Sequence, residues 1–477
     1  MNYDNRIIVF LLAGLSLLFS SLATASESSI KGAACIIRSG DQIVLVKEIL
    51  TGKLSLPAGY IGKGESPQLA AQRETWEETG LVVTVKDELM SDGKSVYFDC
   101  VSDSDIVSFQ FNNTYDGYEL PIWFAPHYGI EVSSAMLVDP AGVPSDSYRY
   151  PNQLSILTGL LPRATDQSVL FVGHLIEAAP VLQQMELNWM SQLQHLFMKL
   201  PSGIYQILEP VLMAGNWLGE SSLLLVLLPV FYWRFGHQFI YKVFFAITIT
   251  SLLSLVAQQG FSSPRPHVYL PALELAKSYG FSLPNLPIAI WSCVGMLVLH
   301  VSEKLDVNRW SLGLLGIILW LSFANFYSGV AFLLDSLSGA LLGMLCAWHL
   351  IRLETKSQVD ANALMTSKVV WGMLLIACGV MAMFWPIPVF TYWLAIVFTM
   401  LGLLMTLDQQ HSEMTGKKIG VLVAILIAVN SLVSVAAEQA SISSVASLIV
   451  EAFRYPVLIC VFVFSLRKNR NRNQSLA

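Results

Sequence analysis

Charge is what this chain has least of. Of 477 residues, 13% are Asp, Glu, Lys or Arg, while 54% are hydrophobic. Ordinary soluble domains carry roughly 25% charged residues. The shortfall excludes a single water-soluble globule and implies stretches embedded in a membrane. Basic tracts are also missing ahead of the extreme C-terminus, and the net charge is −6, so the electrostatic footprint of a nucleic-acid polymer binder is absent. The six cysteines are too few and too scattered for a disulfide framework. Cys293, Cys346, Cys378 and Cys460 lie in apolar runs and read as small core side chains. Cys35 and Cys100 fall in a more polar region, where a bridge is allowed only if that region is exported. Their pairing stays open. No internal repeat is visible.

What is present divides by position. Met1 to Arg6 form a short head before an apolar run from Ile7 to Leu22, then Ala23-Thr24-Ala25. That is the pattern of a signal peptide over residues 1–25, or of an uncleaved anchor; both place residue 30 onward outside the membrane. Residues 30–170 read as a soluble α/β domain. Short β-rich runs at 33–38 and 43–48 flank the turn Ser39-Gly40-Asp41, a helix is expected at 67–79, and strands at 95–101, 106–111 and 121–125. From 188 to 218, Trp189, Leu193, Leu196, Phe197, Ile204, Ile207 and Leu208 make one apolar face, as in a helix lying in the membrane interface. Nine apolar stretches follow, near 219–233, 238–257, 285–302, 310–324, 329–351, 369–386, 388–407, 418–437 and 445–466. Several reach the ~20 residues that cross a bilayer.

Loop charges orient these spans. Alternate loops hold Arg234 and Lys242, Lys304 and Arg309, Arg352, Lys356 and Lys368, Lys417 and Lys418, then Arg467, Lys468, Arg470 and Arg472. The opposite loops hold only Arg265 and Lys277, with Arg454 near the last span. By the positive-inside rule, residues 30–170 lie outside and the C-terminus lies in the cytoplasm. The expected location is a bacterial cytoplasmic membrane.

The chemistry concentrates in Leu56-Pro-Ala-Gly59-Tyr-Ile-Gly-Lys-Gly-Glu65 and Arg73-Glu74-Thr75-Trp76-Glu77-Glu78-Thr79-Gly80-Leu81. Ser66 can cap a helix, Pro67 suits its first turn and Gly80 a left-handed stop. Glu74, Glu77 and Glu78 stand at i, i+3 and i+4 and share one face. Three adjacent anions repel, and a hard divalent cation with oxygen ligands resolves the conflict.

This stretch resembles the Nudix box, G-x5-E-x7-R-E-U-x-E-E-x-G-U, with Gly59, Glu65, Arg73, Glu74, Glu77, Glu78, Gly80 and Leu81 in register. Thr75 is the one departure, at a bulky aliphatic position. The resemblance implies an α/β Nudix fold, a mixed sheet between helices, that cleaves a diphosphate linkage in a nucleoside diphosphate-X type of compound. It implies Mg²⁺ or Mn²⁺ on Glu74, Glu77 and Glu78, with Glu74 or a carboxylate outside the box activating water. Arg73 would orient the glutamates, and Gly59, Glu65 and Gly80 would support the site. Asp103, Asp105, Asp116 and Glu119 are candidates for the further base. Substrate identity is unreadable, whether small-molecule or lipid-linked.

Residues 188–351 resemble the type 2 phosphatidic acid phosphatase superfamily, whose motifs are K-x6-R-P, P-S-G-H and S-R-x5-H-x3-D. Here Gln258 stands for the lysine, Pro287 for the first histidine, Asn325 for the arginine and Ala331 for the nucleophilic histidine. Arg265 and Asp335 remain. A phosphohistidine mechanism needs its imidazole and its cations. The expectation is therefore an all-α membrane domain, catalytically silent, with Arg265 either holding a phosphate or pairing with Asp335. The last four spans, 369–466, carry no motif; Glu451 and Arg454 are expected to pair. The whole reads as a membrane-tethered, metal-dependent hydrolase. The alternatives are a lipid diphosphate phosphatase of the undecaprenyl type and a non-catalytic binder of lipid or nucleotide.

Overall fold

The computed structural model describes residues 30–356, 360–406 and 414–467. The expected export segment lies outside the described residues. The N-terminal part runs β1 (Gly32–Ile36), β2 (Arg38–Ser39), β3 (Gln42–Glu48), β4 (Leu54–Ser55), β5 (Ala58–Tyr60), α1 (Pro67–Thr79), β6 (Val83–Ser91), β7 (Ser95–Ser102), β8 (Ile106–Phe109), β9 (Tyr118–Leu120), β10 (Val132–Val138), α2 (Pro151–Leu160) and β11 (Val169–Val172). One sheet has the order β5-β1-β7-β6, with β1 and β7 parallel. A second has the order β2-β3-β10-β9, with β4 on β3, and β11 pairs with β8.

Strand periodicity decides which helix each side chain meets. On β1, Ala33 and Cys35 join Ala70 and Ala71 of α1 in one core, whereas Ala34 and Ile36 join Leu157 and Leu160 of α2 in another. Both faces are covered, which is why the strand reads as an unbroken apolar run. Cys35 and Cys100, on neighbouring strands, are joined in a disulfide with Cα atoms 5.5 Å apart. Cys293, Cys346 and Cys378 are buried and Cys460 is half-buried.

Two sequence expectations differ here. The segment 121–125 is not a strand. Pro121 has no N–H for the ladder, and the chain turns instead, with Ala125 N donating to Ile122 O (2.9 Å) and Tyr128 N to Ala125 O (3.0 Å). Strands β6 and β10 were not anticipated. Lys86, Asp87 and Glu88 hide the first, and Ser133 and Ser134 interrupt the second.

The remainder is helical: α3 (Val181–Met198), α4 (Ser202–Trp217), α5 (Leu224–Phe261), α6 (Leu286–Val301), α7 (Arg309–Tyr327), α8 (Leu333–Thr355), α9 (Ala361–Met365), α10 (Lys368–Phe384), α11 (Pro388–Thr406), α12 (Gly416–Ala440) and α13 (Ser444–Ser465). Among the described residues, six helices are long and apolar enough to cross a membrane; α6 and α10 are shorter apolar helices. The expected interfacial segment 188–218 is two helices, separated at Pro201. Helix α4 leaves Ile204, Ile207, Val211 and Trp217 exposed, but α3 is tied into the bundle, Gln194 Nε2 donating to Leu273 O (3.1 Å) and Tyr327 O (2.8 Å).

The spans expected at 219–233 and 238–257 form α5, which breaks at Gly236, where φ is 82° and ψ −177°. The Phe231 and Phe239 rings lie 6.0 Å apart, whereas eight residues of straight helix advance about 12 Å. Leu224 and Leu228 line the same cavity as Phe244 and Ile247. The chain therefore doubles back at Gly236, a conformation that glycine adopts without a Cβ clash.

The two parts interlock. Val268 and Phe281, from the loop between α5 and α6, pack into the core beneath α1. In return, Ile130 packs against the helical core that contains Ile387 and Phe390. Gly129 lies on Gly280 so closely that a Cβ would come 2.9 Å from its Cα.

Candidate metal and phosphate site

Helix α1 is fixed at both ends. Leu69 N donates to the Ser66 hydroxyl (3.3 Å), and Gly80, at φ 72°, sends its N–H to Trp76 O (2.9 Å). A Cβ on Gly80 would also strike the Phe124 ring. These stops set the phase of the acidic face. Glu74 and Glu78 are buried, and Glu77 is half-buried.

Arg73 gathers the carboxylates. Its Nε donates to Glu65 Oε1 (2.9 Å), and its Nη1 to Glu74 Oε1 (2.7 Å) and Glu77 Oε2 (2.8 Å). Its Nη2 donates to Tyr60 O (3.0 Å) and Glu65 Oε2 (3.1 Å). Glu65 also accepts from Gly62 N (2.7 Å), which latches the loop to the helix. A Cβ on Gly59 would fall within the Glu74 carboxylate. Only glycine lets β5 lie this close.

The electrostatics are unbalanced. Three carboxylates surround a single guanidinium. The hydrogen bond from Arg73 holds the Glu65 carboxyl below its usual range. Burial, by contrast, pushes Glu74 up despite Arg73, and it pushes Glu78 further, with Glu74 adding to the effect. Glu78, close enough to feel the charge of Glu74, also accepts from Ala58 N (3.0 Å) through one of its two oxygens.

His127 and Glu131 join the site, and no motif spacing marked them. His127 Nε2 is 3.9 Å from Glu77 Oε2, and its Nδ1 is 3.2 Å from Glu131 Oε2. Its backbone N donates to Glu77 O (2.7 Å). Glu131 raises the His127 pKa against the opposing effect of burial, and His127 lowers that of Glu131. Ligand atoms of Glu74, Glu77 and His127 all lie within 4.8 Å of one another. The two carboxylates and the excess negative charge fit a divalent cation. The only signal for His127 and Glu131 in the sequence is their i, i+4 spacing in a turn.

Among the other candidates, Asp103 accepts from the Thr84 hydroxyl (2.6 Å). Asp105 and Asp116 are exposed. Glu119 lines a separate cavity of about 660 Å³ that also touches Lys47, Glu274 and Lys277. Burial and Glu274 push its carboxyl up to about 7.

In the helical part, the stretches singled out by sequence converge. Gln258 Nε2 donates to Pro284 O (2.8 Å), Asn285 N to Asp335 O (2.9 Å), and Pro264 bridges to Phe281. Arg265 makes no ion pair with Asp335. Its Nε donates to Tyr279 O (2.8 Å), its Nη1 to Val330 O (2.8 Å) and its Nη2 to Phe281 O (3.4 Å). Asp335 accepts from Phe332 N (3.0 Å), capping α8. Glu451 and Arg454 do pair, through two contacts of 2.7 and 2.8 Å.

Residues 29–143 match the family model described as the NUDIX domain. Solved structures similar to this chain include an ADP-ribose pyrophosphatase from Streptococcus suis 89-1591. It is 19% identical, with 30% of this chain and 100% of that one covered, at a TM-score of 0.21. Another is a NUDIX hydrolase from Nitrosomonas europaea, 16% identical, covering 31% of this chain and 83% of that one, at a TM-score of 0.20. No curated protein matches the chain.

Proposed function

We propose that the Nudix domain formed by the N-terminal α/β part hydrolyses a phosphoanhydride, in a nucleoside diphosphate-X compound or a related diphosphate, with the help of Mg²⁺ or Mn²⁺. The observation that carries this is the uncompensated negative charge of Glu65, Glu74 and Glu77 around Arg73. Glu74 and Glu77 would hold the ion, since hard divalent cations favour oxygen. When bound, such an ion withdraws charge from phosphoryl oxygens and acidifies water. Arg73 and Gly59 position Glu74. Glu74, or Glu131 from outside the box, takes the proton of the attacking water. Glu131 holds His127 against Glu77, and Glu78 fixes β5 through Ala58.

The full chain is the form to test, because Val268 and Phe281 complete the core of the Nudix domain. Purified in detergent with Mg²⁺, it should cleave a member of a panel of nucleoside diphosphate sugars and isoprenoid diphosphates. Glu77→Gln should remove that activity and weaken Mn²⁺ binding measured by electron paramagnetic resonance. Absence of both turnover and Mn²⁺ binding would refute the reading.

The helical part, on this reading, tethers the domain to a bacterial cytoplasmic membrane. The loop charges support an outward Nudix domain and a cytoplasmic C-terminus. We further propose that residues 188–351 keep the frame of the type 2 phosphatidic acid phosphatases without their chemistry. The convergence of Gln258, Arg265, Asn285 and Asp335 supports the frame, and Ala331 at the nucleophile's place supports the silence.

A further inference from the structure

We infer that the polar cavity between the Nudix domain and the helical part is a second binding site, suited to a small zwitterion: an amino acid or a short peptide. The ligand's ammonium lies between Glu119 and Glu274, and its carboxylate meets Lys47 and Lys277. The site is separate from the metal centre, since none of Glu74, Glu77 and His127 lines it.

Strand register builds one wall. Ser134 and Met136, two residues apart on β10, stand opposite Lys47 of β3 and Glu119 of β9. Residues two apart on a strand share a face, as do directly opposed residues on neighbouring strands. Lys47 and Glu119 therefore project from the same side of the sheet. Their strands are held about 10 Å apart by β10 between them. The loop between α5 and α6 supplies the other wall, with Glu274 and Lys277. Each wall brings one carboxylate and one ammonium. The cavity they enclose, about 660 Å³, lies within the ~300–1,000 Å³ typical of small-molecule sites.

The charges are placed for a guest rather than for one another. Burial, then Glu274, push Glu119 up to about 7 despite Lys47. Burial likewise raises Glu274 against Lys277 and Lys47. Two carboxylates, one from each part of the protein, thus oppose each other across the cavity. Among the described residues, none of these four charged groups enters an ion pair. Glu274 instead accepts from Ser278 N (3.2 Å). Two further residues of the lining that could carry charge do not upset the balance. Glu48 is paired with Arg149 (2.8 Å), and His267, depressed to about 4, is neutral at pH 7.

This balance selects the ligand. A diphosphate would meet two carboxylates, and a bare cation would meet two ammoniums. A neutral sugar would leave all four charges uncompensated. A molecule with one charge of each sign satisfies both kinds of group, through charge-assisted hydrogen bonds about twice as strong as neutral ones. Phe111 and Tyr279 also line the cavity and are 43% and 49% exposed. They offer an apolar surface to the ligand's side chain.

The test is calorimetric titration of the full chain in detergent and EDTA, so that no metal or turnover is needed. The probes are amino acids and dipeptides with apolar and aromatic side chains, their N-acetyl and C-amide forms, phosphoethanolamine and glucose. A free amino acid or dipeptide should bind, and blocking either end should weaken binding at least tenfold. Glu274→Gln and Lys277→Gln should each weaken the free form at least tenfold with Tm unchanged. The losses should also cross: Glu274→Gln spares the N-acetyl form, and Lys277→Gln spares the C-amide form. No binding across the set, equal binding of blocked forms, or unchanged affinity in the folded variants overturns the inference. Binding of phosphoethanolamine alone overturns it in favour of a lipid headgroup, and binding of glucose alone in favour of a sugar. The hydrolase reading stands or falls separately, on Mn²⁺ binding and turnover.

Discussion

Arg73 and Arg265 both sit where the sequence suggests phosphate chemistry, and both are fully engaged, yet their partners differ in kind. Arg73 is bound by three carboxylates and a single carbonyl, so its surroundings stay negative. Arg265 is bound by neutral carbonyls from the 279–281 and 330 segments, and burial lowers its pKa. A guanidinium outnumbered by anions creates a demand for further positive charge. One surrounded by carbonyls satisfies backbone acceptors that the loops could not otherwise pair. The first arrangement suits a metal site; the second is a strut.

The comparison can be broken most directly at Glu77. Glu77→Gln should cost about 10²–10³-fold in turnover, the usual scale for losing one charge-stabilising group, measured as kcat on the preferred diphosphate. Separating the strands under the site comes next. Cys35→Ala with Cys100→Ala opens a link between residues 65 apart, which should lower stability by about 3–4 kcal/mol, read as a fall in Tm.

His267 gives a pH test on the Arg265 side. Burial, then Arg265, depress its pKa to about 4, against about 6.5 when unfolded. The unfolded chain therefore takes the proton first as pH falls. Its contribution is complete above pH 6.5, declines toward pH 4 and then levels off, by up to about 3 kcal/mol. Glu119, raised to about 7, acts in the opposite sense, being most stabilising at low pH and losing that contribution as pH rises through 7. The difference between the parent and His267→Gln isolates the histidine, and a flat difference curve between pH 4 and 7 would contradict it. The smallest effect is Arg265→Ala, which should lower stability by about 1–3 kcal/mol through orphaned acceptors while Mn²⁺ affinity holds.

Much of the α/β fold was legible because α1 is punctuated by local chemistry. Ser66, Pro67 and Gly80 set its limits through backbone rules that need no tertiary partner, and the described helix runs from Pro67 to Thr79 as the spacing requires. The apolar stretches were equally plain by length. Local patterning could not tell what else meets these glutamates. Glu78 shares a helical face with Glu74 and Glu77, and it also accepts from Ala58 N, twenty residues away in sequence. His127 and Glu131 join the site only because the chain turns after Pro121, and their positions depend on contacts that no short window contains. Gly236 was hidden for a related reason. A lone glycine between two apolar runs separates spans or bends one helix, and the packing of Phe231 on Phe239 decides.

The exchange of Val268 and Phe281 for Ile130 has a thermodynamic consequence. Each part supplies side chains that the other needs to close its interior, so neither can lose its structure without exposing the other's apolar surface to water. Calorimetry of the intact protein should accordingly record one cooperative endotherm, in which extraction of the helices from lipid and collapse of the hydrolase site happen together.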